Sequence, residues 1–196
     1  KLADTWAKKY ADIPFHNEYS YLNGNVEDEY YKEGIYVGYR YFDSFGVEPC
    51  YPFGYGLSYT DFTMFGAGVS VDGTKVTLDV TVTNTGDTYS GKEVAQLYVS
   101  APVGELHKEY QSLAAFAKTK ELAPGEKDTL RVCFDMKDIA SYDEASASYI
   151  LEAGEYILRL GNSSRNTVPV AVVTLDEKVI VSKHDNICPV VEPIEE

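Results

Sequence analysis

The 196-residue chain is 44% apolar and carries 31 acidic against 17 basic residues, for a net charge of −14. That apolar fraction supports a packed core and excludes wholesale disorder. The charge balance excludes a nucleic-acid partner, since counterion release from a phosphate backbone needs clustered Lys and Arg, and the longest apolar runs, such as Pro169–Leu175, fall far short of the roughly 20 residues of a membrane-spanning helix.

The chain opens on Lys1 without a basic-then-apolar leader, which predicts a piece cut from a longer protein. Up to about residue 60 the texture is aromatic and broken: eleven of the seventeen tyrosines fall there, punctuated by Gly and Pro every few positions. Long regular elements do not fit between such breakers. The expected contents are a short helical stretch near Thr5–Tyr10, a strand around Gly34–Phe42, and extended coil with aromatic anchors. Large rings without a periodic core of their own need something to pack on; the following domain is expected to supply only part of it.

From about Gly68 the pattern changes to alternation of period two, the signal of half-buried strands. Lys75–Asn84 places Val76, Leu78, Val80 and Val82 on one face, with Thr77, Asp79, Thr81 and Thr83 on the other. Lys92–Ser100 sets Ala95, Leu97 and Val99 against Val94, Gln96 and Tyr98. Thr129–Asp135 and Glu155–Leu160 alternate in the same way, and further strands are expected at Gly68–Asp72, Ser112–Lys120, Ala147–Glu152, Pro169–Leu175 and Lys178–Ser182. Asp72-Gly73, Asn84-Thr85-Gly86, Pro124-Gly125 and Ala153-Gly154 carry turn chemistry between them. Many short strands with no helical period between them predict an all-β, antiparallel β-sandwich.

Two blocks carry a resemblance. Tyr31–Asp43 (YKEGIYVGYRYFD) followed by Tyr51–Thr60 (YPFGYGLSYT), with Asp4-Thr-Trp6 and Tyr10–Pro14 before them, resembles the segment closing the α/β-sandwich domain of family 3 glycoside hydrolases, chiefly β-glucosidases. Val82–Gly86, Gly91–Val99, Leu122–Glu126 and Gly154–Ser164 are similar to the fibronectin type III-like, immunoglobulin-like domain that accompanies many of these enzymes. The chain departs from the family pattern at Glu109–Phe116 and at Tyr149, where members often carry Trp. The resemblance implies residues 1–66 as the tail of the α/β domain, 67–182 as the fibronectin type III-like sandwich, and 183–196 as an acidic tail or linker. It favours an order in which the barrel follows the sandwich.

A retaining glycosidase needs two carboxyl groups about 5–5.5 Å apart. In the family, the nucleophile belongs to the barrel and the acid/base maps to no residue of this sequence, so no catalytic residue is assigned. The expected role is an accessory, non-catalytic part of an enzyme that hydrolyses terminal non-reducing β-D-glucosyl or related residues. Its partners would be the barrel and α/β core, with a β-glucoside reaching the domain edge. Candidates for substrate or interdomain contact are Glu33, Tyr36, Tyr39, Arg40, Asp43 and Tyr55; Glu33, Arg40 and Asp43 read first as ion-pair formers. Tyr41, Tyr51 and Tyr59 are further candidates for sugar stacking, though buried packing is the leading expectation for the group. Glu27, Asp28 and Glu29 read as a solvated loop.

His16, His107 and His184 lack ligand spacing, and neither metal nor cofactor is expected. Cys50, Cys133 and Cys188 read as buried or incidental thiols, which leans toward a reducing, cytoplasmic compartment in a bacterium, with secretion left open. Asn162-Ser163-Ser164 matches a glycosylation sequon. The alternatives are a free-standing carbohydrate-binding module and a structural or adhesive sandwich. The latter lacks the Cys…Trp…Cys trio of true immunoglobulin domains, because the only Trp is Trp6.

Overall fold

A computed structural model describes residues 1–18 and 24–187. Residues 188–196, expected to form a linker and including Cys188, lie outside the described residues. Among the described residues ten strands build the fold: β1 (Phe62–Asp72), β2 (Lys75–Asn84), β3 (Val94–Ser100), β4 (Ser112–Lys118), β5 (Lys127–Asp135), β6 (Ser141–Asp143), β7 (Ser148–Leu151), β8 (Gly154–Gly161), β9 (Thr167–Leu175) and β10 (Val179–Lys183). All pairings are antiparallel. One sheet runs β1-β2-β5, the second β4-β3-β8-β9, and a small third sheet β10-β7-β6.

The core is what period-two alternation dictates. Val76, Leu78, Val80 and Val82 of β2 are essentially inaccessible, and with Leu130, Val132 and Phe134 of β5 they meet Ala95, Leu97 and Val99 of β3 and Tyr156, Leu158 and Leu160 of β8. Burial of a Val or Leu side chain contributes roughly 1.5–3 kcal/mol, so this two-sided apolar layer is what holds the sheets together. At its edge Asn84 is completely buried. Its Nδ2 donates to the Tyr89 and Leu122 carbonyls, and its Oδ1 accepts from Thr60 Oγ1 and the Gly86 amide. A buried amide satisfied on both atoms stabilises where an unsatisfied one would cost, and it ties the end of the aromatic segment to the sandwich.

Two expectations for the first sixty residues are corrected. The stretch near Thr5–Tyr10 is not helical: Trp6 pairs with Tyr51, donating its amide at 2.8 Å and accepting from the Cys50 amide at 2.6 Å. A 3-10 turn follows at Tyr10–Asp12. Nor is Gly34–Phe42 a strand. Gly38 takes φ +60°, ψ −132°, a conformation open to glycine, and there the chain enters α1 (Tyr39–Ser44). Tyr39, Phe42 and Asp43 are spaced i, i+3 and i+4, so one turn of helix sets all three on one face.

That face covers the outer side of β3. The alternation in Lys92–Ser100 implies that Gln96 and Tyr98 face away from the core, and they do, but Gln96 is only 4% exposed and Tyr98 is inaccessible. β3 is therefore sandwiched from both sides. The three-residue β6, too short to show a period, is the strand that the alternation does not reveal. Cys50 and Cys133 are exposed, not buried.

Candidate functional site

Segment 1–60 and the outer face of the β4-β3-β8-β9 sheet meet in a layer of rings over a buried polar network. Phe42 is 4% exposed. The Tyr39 ring packs 4.9 Å from Phe53 and 5.9 Å from Tyr98, centroid to centroid, and its hydroxyl accepts the Leu113 amide at 2.8 Å. Tyr98 donates its hydroxyl to Gln96 Oε1 at 2.6 Å, while Gln96 Nε2 donates to the Asn162 carbonyl. Burial, with Tyr39 and Asp43 nearby, pushes the Tyr98 hydroxyl well above the ordinary phenol range, so it serves as a fixed donor. Gly54 lies against the Gln96 amide with φ +83°, where a Cβ would meet Nε2 at 2.5 Å and the Ser163 Cα at 2.9 Å.

Under the helix, Asp43 is the hub. Its side chain is 3% exposed, Oδ2 accepts from Gln111 Nε2 at 3.1 Å, and Oδ1 lies 2.9 Å from Arg165 Nε, an ion-pair contact without hydrogen-bond alignment. Gln111, inaccessible to solvent, also donates to the Ser164 carbonyl and accepts from Thr167 Oγ1. Arg165 reaches back to the carbonyls of Phe42 and Val47. Burial raises the Asp43 pKa, and the Gln111 hydrogen bond and Arg165 charge offset that rise only in part. Lys1 Nζ holds Glu93 at 2.8 Å, pinning the start of the segment near the start of β3.

Of the sequence-predicted contact residues, the structure brings Tyr39 and Asp43 into this interface. Tyr36 packs on Phe45 at 5.0 Å and its hydroxyl lies 3.5 Å from the Lys108 carbonyl. Tyr55 packs on Tyr51 at 4.9 Å, and Tyr51 in turn meets Trp6 edge-on at 6.1 Å. Glu33 and Arg40 are half-buried, and neither forms an ion pair among the described residues; only Asp43 of the three expected ion-pair formers does so. Tyr59 is 91% exposed. Gln96, Gln111 and Arg165 carry the interface but were not singled out by sequence; a Gln at the outward position of a strand reads as solvated unless its cover is known.

Beyond the interface lies a cleft of about 700 Å³ between residues 34–40, the β3–β4 connection and the turn into β6. One wall is braced by Lys108 and Glu152, both 7% exposed at the side chain and 3.0 Å apart. Glu152 Oε1 accepts from the amides of Glu105 and Leu106, and Lys108 donates to Ser141 Oγ. Burial alone would raise the Glu152 pKa, but Lys108 and the two amides outweigh it and hold the carboxyl below its usual range. Tyr156, beneath, donates to the Glu152 carbonyl at 2.8 Å and is pushed up to about 12 by burial and by the Glu152 charge.

Among the described residues no three His, Cys, Asp or Glu gather as a metal site, and no helix is long and apolar enough to cross a membrane. The sequon amide is engaged: Asn162 Nδ2 donates to Glu93 Oε2 at 3.1 Å, and Ser163 and Ser164 are buried.

Residues 93–164 match the fibronectin type III-like domain family. The chain is 41% identical to β-glucosidase A of Butyrivibrio fibrisolvens over 193 residues, covering 85% of this chain and 22% of that protein. The solved β-glucosidase from Paenibacillus barengoltzii superposes with a TM-score of 0.88 at 43% identity, over 94% of this chain and 21% of its own. The GH3 β-glucosidase of Bifidobacterium adolescentis does so with a TM-score of 0.78 at 36% identity, over 90% and 26%. The chain thus spans about a fifth to a quarter of the relatives it matches.

Proposed function

We propose that this chain, which carries a fibronectin type III-like domain and is similar along its length to β-glucosidases of glycoside hydrolase family 3, is the accessory, non-catalytic part of such a hydrolase. The parent enzyme removes terminal non-reducing β-D-glucosyl or related residues by a retaining mechanism, with its two carboxylates supplied by other domains. The observation that carries this reading is a segment that is anchored and yet leaves much of its apolar surface uncovered. It is locked to the sandwich through Phe42, Tyr39 and the Asp43–Gln111–Arg165 network. It also leaves large apolar side chains in solvent, among them Trp6, Tyr31, Val37, Phe45, Leu57 and Tyr59.

Exposed rings concentrated on one segment mark a surface that another body covers, and the relatives are four to five times as long as this chain. The sandwich in this reading is a rigid backing that holds the segment in shape for the barrel and α/β core. Tyr36, Tyr39 and Asp43 serve the inner contact.

Hydrolysis of p-nitrophenyl β-glucoside by the chain alone, and by the chain mixed with separately produced remaining domains of the same enzyme, tests the proposal. Silence alone with activity on mixing supports it. Turnover by the purified chain by itself would overturn it.

A further inference from the structure

The cleft beside β6 opens where residues 34–40 close over the β3–β4 connection and the turn into β6, and its size is that of a small-molecule site. Its volume of about 700 Å³ falls within the roughly 300–1,000 Å³ of ligand pockets. Val99, Leu113 and Ala140 contribute apolar lining, and Tyr142 forms part of one wall. Tyr142 is 39% exposed and stands directly across from Tyr149, 43% exposed, with ring centroids 5.2 Å apart. His184 extends the row, 5.6 Å beyond Tyr149. These three rings, which pack in succession at the small sheet and just past its end, are not required by the sandwich core, which none of them enters.

The rim supplies hydrogen-bonding heads of both kinds. Arg40 and His107 line the cleft as donors, and Asp138 and Glu144 as acceptors; their side chains make no hydrogen bond or ion pair among the described residues. Glu109 and Asp143 add further negative charge, although each already accepts a serine hydroxyl. Lys108 also lines the cleft but is committed to Glu152 and Ser141. Four carboxylates against one uncommitted guanidinium disfavour an anion. A ligand that matches an apolar floor, a row of exposed rings and free donors and acceptors together is one with apolar C–H faces and neutral hydroxyl edges.

We propose that this cleft and the Tyr142–Tyr149–His184 cluster form a binding site for a neutral oligosaccharide. The site would hold a segment of glycan on the accessory domain. The expectation that the sugar is a β-linked gluco-oligosaccharide rests on the function proposed above; the cleft itself does not.

The test is titration of the purified 196-residue chain, followed by calorimetry and amide chemical shifts, with cellotetraose, laminaritetraose, xylotetraose and, as a competing class, tetralysine. Saturable binding of a neutral tetrasaccharide is expected, with shifts centred on residues 138–145. Tyr142→Ala, Arg40→Ala and Glu144→Ala are each expected to weaken it about tenfold, a loss of roughly 1.4 kcal/mol. Phe65→Ala, at an exposed ring outside the cleft, is expected to leave affinity unchanged, and the thermal midpoint of each variant confirms folding. No saturable binding of any tetrasaccharide, equal binding by the cleft variants, or preference for tetralysine would overturn the proposal. Binding of xylotetraose alone would uphold the site while counting against the glucoside reading. Conversely, failure of the domain-mixing experiment has no bearing on these titrations, so the two readings fail separately.

Discussion

Phe42→Ala isolates the contact that joins the aromatic segment to the sandwich. The ring is 4% exposed, and among the described residues of segment 1–60 it is the one large apolar side chain that is buried. Truncating such a ring costs about 3–5 kcal/mol, the sum of lost transfer energy and the cavity left behind. At about 1.4 kcal/mol per tenfold, that is a loosening of roughly a hundred- to several thousand-fold in the docking equilibrium. The loss should be local, because Phe42 is not part of the cluster formed by β2, β3, β5 and β8. Hydrogen exchange read by mass spectrometry checks this. Amides of α1 and the Leu113 amide, which is held by the Tyr39 hydroxyl, should lose protection, while those of β2 and β5 keep theirs. Uniform loss across the sandwich would refute the reasoning, since it would make the segment part of one cooperative core; unchanged exchange everywhere would refute it from the other side.

Lys108→Met should cost about 3–5 kcal/mol, the usual penalty for stranding one charge of a buried pair, and removal of Glu152 in the same chain as Lys108→Met/Glu152→Met should recover much of it; denaturant midpoints of the three chains decide. Because the Glu152 carboxyl is held below its usual range, its contribution is present above the unfolded pKa and fades as pH falls through the lower folded value. A midpoint that does not fall with acid relative to Glu152→Gln would contradict this. Asp43 has the opposite sign. Its folded pKa is raised, so its contribution is full below the unfolded value and is lost as pH rises through the folded one; exchange protection of α1 should fall over that window relative to Asp43→Asn. Gly54→Ala should destabilise docking by about 1–3 kcal/mol, the scale of overpacking in a close-fitted site, with thermal unfolding and α1 exchange as readouts.

How much of this was legible in the chain differs from element to element. β2 could be read residue by residue, because Val76, Leu78, Val80 and Val82 alternate with polar neighbours and only one of its faces is covered. The strand expected around Gly34–Phe42 does not form, because among the described residues no partner strand is offered to it and the positive φ of Gly38 turns the chain into a helix instead. The motif blocks pointed to the family, yet the identity of a block does not say what its side chains touch.

The sandwich was legible along the chain: strand period, turn residues and apolar faces are local properties, and each is written in consecutive positions. Only the tertiary structure decided that Gln96, Tyr98 and Gln111 are buried, that Asp43 meets Arg165, and that Arg40, His107, Tyr142 and Glu144 share one cleft. These groups come from stretches far apart in the chain, and a polar residue on the outward face of a strand reads as solvated until something folds over it. Whether it is covered depends on long-range packing, which no local pattern encodes.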